Sequence, residues 1–210
     1  MSSSPSPAPR PSRGAAAAAL VAGPALLLTG VLLMLTPDAW TVSHLVFLAG
    51  TLAMLPAGVV LHGLLRDAAP SWVGRSGLAL TVVGALVLAG QFVIDLVVMQ
   101  LAAGESQTAG AMFDLIQASP TFALTFYTAG PALLFAGLAV YGAAMLLRSG
   151  PRHQPGWALV GGTLVMGVAR VAGTRPGEVA GLALILVALA LTAGSAAGGR
   201  SETRQGLGTT

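Results

Sequence analysis

The sequence predicts an all-α, polytopic membrane protein of six transmembrane helices, and three observations carry that prediction. Of 210 residues, 55% are apolar and 8% charged, with a mean hydropathy of +0.82. A soluble domain carries about 25% charged residues, and a disordered chain is poorer in apolar residues and richer in net charge, so neither class fits. Six long apolar runs follow one another, each bounded by charge, proline or glycine. Finally, the ten basic residues are all arginine and fall mostly at every second boundary between runs.

The runs lie at about 15–36, 42–65, 77–102, 121–147, 156–172 and 178–197. About 20 apolar residues in a helix cross the roughly 30 Å hydrocarbon core. Continuous runs without period-two alternation exclude barrel strands. The first run follows Arg10 and Arg13 but exceeds the apolar core of a signal peptide, and no A-x-A site follows it before Pro37. It is read as a retained helix. The fifth run is short and needs a thinned bilayer or snorkelling flanks. Between the third and fourth runs, Gly104–Ser119 is either a polar connection or a short surface helix with Met112, Leu115 and Ile116 on one face. The Ser-, Pro-, Gly- and Thr-rich ends, 1–14 and 198–210, are expected to be disordered cytoplasmic tails.

Arginine placement orients the bundle. Arg10, Arg13, Arg66, Arg75, Arg148, Arg152, Arg200 and Arg204 share one side, while Arg170 and Arg175 lie near the other with Asp38, Glu105, Asp114 and Glu178. The positive-inside rule then places both termini in the cytoplasm of a multi-pass protein of the cell (inner or plasma) membrane. The scattered arginines exclude a nucleic-acid-binding face. The absence of cysteine removes disulfides, thiolate metal sites and cysteine nucleophiles.

Internal similarity points to a 3+3 duplication. Ala22-Gly23-Pro24-Ala25-Leu26-Leu27 reappears as Ala129-Gly130-Pro131-Ala132-Leu133-Leu134. Gly50-Thr51-Leu52-Ala53-Met54 matches Gly162-Thr163-Leu164-Val165-Met166, and Gly77-Leu78-Ala79-Leu80 matches Gly181-Leu182-Ala183-Leu184. Three spans per half would make the repeat inverted, with a ligand site near the midplane between halves. Pro24, Pro56 and Pro131 interrupt helical hydrogen bonding and would free carbonyls beside such a site; kinks that serve packing are the plainer explanation of them. Glycine pairs seven residues apart, Gly23/Gly30, Gly77/Gly84 and Gly130/Gly137, mark close helix contacts.

Asp95 is the one carboxylate inside an apolar run, with Gln91 one turn away on the same face. An intramembrane carboxylate by default marks a functional site with a partner, against the plainer reading of a solvated interfacial acid. His44, Tyr127 and Arg170 fall at a similar depth. Candidate ligand-binding residues are therefore His44, Gln91, Asp95, Tyr127 and Arg170, with Asp95 and His44 the candidate acid–base pair and Arg170 an alternative partner for Asp95. Each also has a plain reading: Arg170 as a snorkelling side chain, Tyr127 as a belt aromatic, His44 as interfacial. His62 lies five turns from His44 with only His153 as a partner, a poor set for haem. Protease, hydrolase and phosphate-loop motifs are missing. No metal or cofactor is expected.

The Trp40/His44 opening of the second span, the Leu55-Pro56-Ala57-Gly58 break, Arg75 before a glycine-rich third span and Asp95 near its end resemble DUF4386-type small six-helix membrane proteins of high-GC bacteria. That resemblance implies a fold and a membrane location, and no activity. The leading expectation is a protein that binds or transports a small or lipophilic ligand between two inverted halves. The alternatives are an intramembrane acid–base enzyme, terpene-cyclase-like, acting on an apolar substrate through Asp95, and a structural or regulatory subunit. Expected partners are the lipid bilayer, such a ligand and further copies of the chain.

Overall fold

A computed structural model of the chain describes residues 12–66, 69–147 and 153–198. They form α1 (Arg13–Leu33), α2 (Trp40–Leu65), α3 (Ser71–Leu101), the short α4 (Ser106–Gln117), α5 (Pro120–Leu146, a π-helix over Ala123–Ala129), α6 (His153–Ala172) and α7 (Arg175–Gly198). There is no strand among the described residues. All but α4 are long and apolar enough to cross a membrane, which makes six such helices.

Helix starts extend beyond the apolar runs wherever a polar first turn precedes them. Ser12 caps α1 by accepting a hydrogen bond from Ala15 N at 3.3 Å, so Arg13 and Gly14 are helical rather than part of a tail, as is Gly198 at the other end. The remaining tail residues, 1–11 and 199–210, lie outside the described residues, as do Arg148 and Arg152. Pro70 precedes α3, which starts at Ser71 and so takes in Arg75. α6 gains a turn from His153 and Gln154, which gives the short fifth run 20 helical residues. α7 starts at Arg175. In contrast, α1 stops at Leu33, three residues before the apolar run ends.

The six spanning helices form a closed ring in chain order: each packs on its sequence neighbours, and α7 returns to α1. The turn 34–39, the connection carrying α4, and Gly173–Thr174 share one end, here the α4 face; the start of α1 and the end of α7 share the other, the terminal face. Glycines bring backbones together within successive hairpins. Gly50 meets Leu26 and Leu27 across α1/α2, Gly84 meets Leu133 and Leu134 across α3/α5, and Gly162 meets Gly181 and Ile185 across α6/α7. In lipid, close approach of small residues replaces the hydrophobic drive for helix association. The residues that sequence matching pairs do not have matching neighbours: Gly50 faces the preceding span, whereas its counterpart Gly162 faces the following one.

Towards the terminal face the ring is filled. Met54, Leu61, Leu134, Leu159 and Leu189 are fully buried, and Tyr141 crosses the centre to donate its hydroxyl to Gly58 O at 3.1 Å. On the α4 face, Met112, Phe113 and Ile116 of α4 pack against Val98, Ala102 and Ala109. Leu115, grouped by spacing with Met112 and Ile116, instead points outward at 76% exposure. Ala109 and Phe113 complete the buried side in its place.

Candidate functional site

The polar residues that the chain carries inside its apolar helices gather at the α4 end of the ring. His44 stands one turn into α2. Its Nδ1 is 2.8 Å from Trp40 O, and its ring stacks on the Trp40 indole with centroids 3.7 Å apart. A carbonyl only accepts, so Nδ1 carries the proton and Nε2 is turned towards α3. There Nε2 lies 3.9 Å from Asp95 Oδ2, an ion-pair distance too long for a direct hydrogen bond. The other carboxylate oxygen, Oδ1, accepts a 2.7 Å hydrogen bond from the Tyr127 hydroxyl of α5. Asp95 is 5% exposed and faces the bundle interior.

Tyr127 reaches Asp95 from the π-helical part of α5. Gly130 N donates five residues back, to Thr125 O. Pro131 has no N–H, and in a regular α-helix its ring would collide with the carbonyl four residues earlier, which belongs to Tyr127. The wider turn relieves that collision. The same six residues around Pro24 remain inside the α-helix of α1, so the hexapeptide alone does not dictate the π turn. What α5 has in addition is its packing on α3: Tyr127 holds Asp95, and Phe126 lies over Gly90.

Arg170 is not the partner of Asp95. Its Nη1 donates to Glu178 Oε1 at 3.3 Å, while Arg175 Nη1 donates to Glu178 Oε2 at 2.7 Å. Glu178 is 4% exposed, and each of its two oxygens takes one arginine. Sequence reasoning set Arg175 and Glu178 apart from the site, as charges of the outer end. The signal was an acid flanked by arginines three and eight residues before it, across the Gly173 turn.

Between these groups lies a cavity of about 210 Å³ to which all six spanning helices contribute: Val31, His44, Gln91, Phe135, Met166 and Leu182 each come from a different one. Arg170, Arg175 and Glu178 also line it. Phe47 and Phe92 stack at 5.1 Å to make one wall, with the His44 ring edge-on to both. Gln91 is 5% exposed and interacts with Asp95, yet its Oε1 is buried without a hydrogen-bond partner. Asp95 is set behind His44 and Gln91, which form the wall itself. The structure thus brings His44, Gln91, Asp95 and Tyr127 together, and places Arg170 across the cavity in a second cluster. His62 lies far from both, against Gly74. Among the described residues no group of three or more His, Asp or Glu side chains is placed to hold a metal ion. No family model, curated protein or solved structure matches the chain.

Proposed function

We propose that this six-span protein binds a small or lipophilic ligand in the cavity at its α4 end. The observation that carries the reading is the Gln91 Oε1 acceptor, buried in the cavity wall and unpartnered. A buried acceptor without a donor costs about 1–3 kcal/mol, and a ligand hydroxyl, amide or acid proton would remove that cost. The apolar walls accept the rest of a lipophilic molecule, while Asp95 fixes Tyr127 and His44 from behind. The filled terminal half favours binding over passage in this conformation, and transport would require the Tyr141–Gly58 closure to open. By the arginine bias, Arg13, Arg66 and Arg75 mark the cytoplasmic face, and the cavity belongs to the outer half of the membrane.

A second reading, an acid–base enzyme acting on an apolar substrate, is favoured by the Tyr127–Asp95–His44 chain alone. In it, His44 would meet the substrate and Asp95 would act through it. Native mass spectrometry of the purified protein tests the main reading. A lipophilic molecule should be retained at one per chain by wild type and lost from Val31→Phe, which fills the cavity, and from Gln91→Leu, which keeps the volume but removes the acceptor. Identical adducts in all three proteins would refute it.

A further inference from the structure

A second hollow, of about 520 Å³, runs along the outside of the ring between α5 and α6. Ala132, Ala136 and Ala139 line it on α5, with Leu164 and Gly167 on α6. Near the terminal face the same two helices touch, since a Cβ on Gly142 or Gly156 would come within about 3 Å of the other's carbonyl. The groove occupies the gap beyond that contact, where small side chains leave the surface between the helices uncovered. Its walls belong to spanning segments, so its medium is lipid hydrocarbon rather than water.

Pro131, Phe135 and Arg170 line both this groove and the central cavity. The partition between them is therefore about one aromatic ring deep. It hangs on the stretch of α5 just after the π turn, at a proline that donates no backbone hydrogen bond. Arg170 is the one charged residue lining the groove among the described residues. It spends a single N–H on Glu178, at 3.3 Å, whereas Arg175 holds the same carboxylate at 2.7 Å. Arg170 can thus turn its remaining donors to an incoming anion without leaving Glu178 unpaired.

We infer that a long-chain carboxylate, a free fatty acid of the membrane, enters the cavity sideways through the α5/α6 groove, its chain passing the Phe135 partition and its acid group captured by Arg170. The inference rests on the ligand-binding reading above and names a route and a ligand class held by Arg170; an ionised carboxylate only accepts, so Gln91 Oε1 gains its donor where the acyl chain also carries a hydroxyl. A planar guanidinium fork matches a carboxylate.

Trp40 stacks on His44 in the cavity wall, while Trp72 and Trp157 are 68% and 66% exposed. Replacing the latter two by phenylalanine leaves Trp40 as the sole reporter. In nanodiscs, dibromostearate should quench Trp40 saturably. Arg170→Gln should weaken the quenching at least about tenfold in concentration. Ala136→Phe, an exposed position whose new ring fills the groove, should slow its onset about tenfold while leaving its final depth unchanged. Brominated phosphatidylcholine serves as the control and should quench all variants alike. An unchanged onset in Ala136→Phe refutes lateral entry but leaves the cavity reading intact if saturation persists. Absence of saturable quenching refutes the carboxylate assignment; should the adduct sensitive to Val31→Phe also be absent, the cavity reading falls with it. If Ala136→Phe instead dissolves a dimer seen by light scattering, the groove is an interface and the inference is wrong.

Discussion

Gly84→Ala, measured against Gly63→Ala, isolates what glycine does in this ring. A Cβ on Gly84 would sit 2.7 Å from Leu134 Cα and 2.8 Å from the Leu133 carbonyl carbon, with Leu134 N closer still. Ordinary contact begins at 3.4 Å, so α3 and α5 must separate by at least about 0.7 Å, because both obstacles are backbone and neither can rotate away. A radial gap of roughly 0.5–1 Å forfeits a quarter to a half of each dispersion well along the seam, and overpacking of this kind costs about 1–3 kcal/mol. Gly63 has nothing within 4 Å of the same added atom. Both substitutions gain helix propensity, up to about 1 kcal/mol by aqueous scales, so the gain cancels in the comparison. The two variants should differ by about 1–3 kcal/mol, with Gly84→Ala the less stable. At roughly 2–4 °C per kcal/mol for a chain of this size, thermal unfolding in one detergent resolves the difference. Equal midpoints would refute the view that glycine sets the α3/α5 spacing.

Tyr127→Phe keeps the ring and removes the donor to Asp95 Oδ1. It should destabilise by about 1–2 kcal/mol, between the mean for interhelical hydrogen bonds in membranes and the range for charged ones, and detergent unfolding midpoints check it. Ala103 has φ 52° in the connection after α3, where a Cβ is strained. Ala103→Gly should stabilise by up to about 1 kcal/mol on the same assay, whereas Gly173→Ala, at φ 65° between α6 and α7, should do the opposite. Reporter fusions after Glu105 and at the C-terminus should register opposite sides of the membrane, with the C-terminus cytoplasmic; same-side signals would overturn the arginine argument.

The spans were legible because a hydrocarbon slab imposes a length on apolar sequence, and no other constraint in this chain is as simple. Starts at Ser71, His153 and Arg175 were not, since polar first turns are paid no attention by a hydropathy count. Depth was legible too: counting residues along straight helices put His44, Asp95, Tyr127 and Arg170 at one level. Lateral neighbours were not. Whether Asp95 faces His44, Tyr127 or Arg170 depends on how each helix is rotated, and Tyr127 reaches it from a π turn that the identical hexapeptide in α1 does not form. Sequence matches between the halves did not foretell contacts: Gly50 meets Leu26 and Leu27 of the preceding span and Gly162 meets Gly181 and Ile185 of the following one, since ring position as well as local sequence selects the neighbour.

The Tyr141–Gly58 closure divides the protein electrically as well as sterically. A membrane potential falls mainly across the part of a protein that excludes water, and here that part is the filled half between Tyr141 and the terminal face. The cavity, rimmed by the half-exposed Arg170 and Arg175, lies at the end where the field has largely been spent. A full traverse is worth about 2.3 kcal/mol per charge per 100 mV, and an anion resting beside Arg170 would feel only a small part of it. On the ligand-binding reading proposed above, occupancy of this site would be largely insulated from the cell's energised state, and only a step that carried charge past Tyr141 would couple to it.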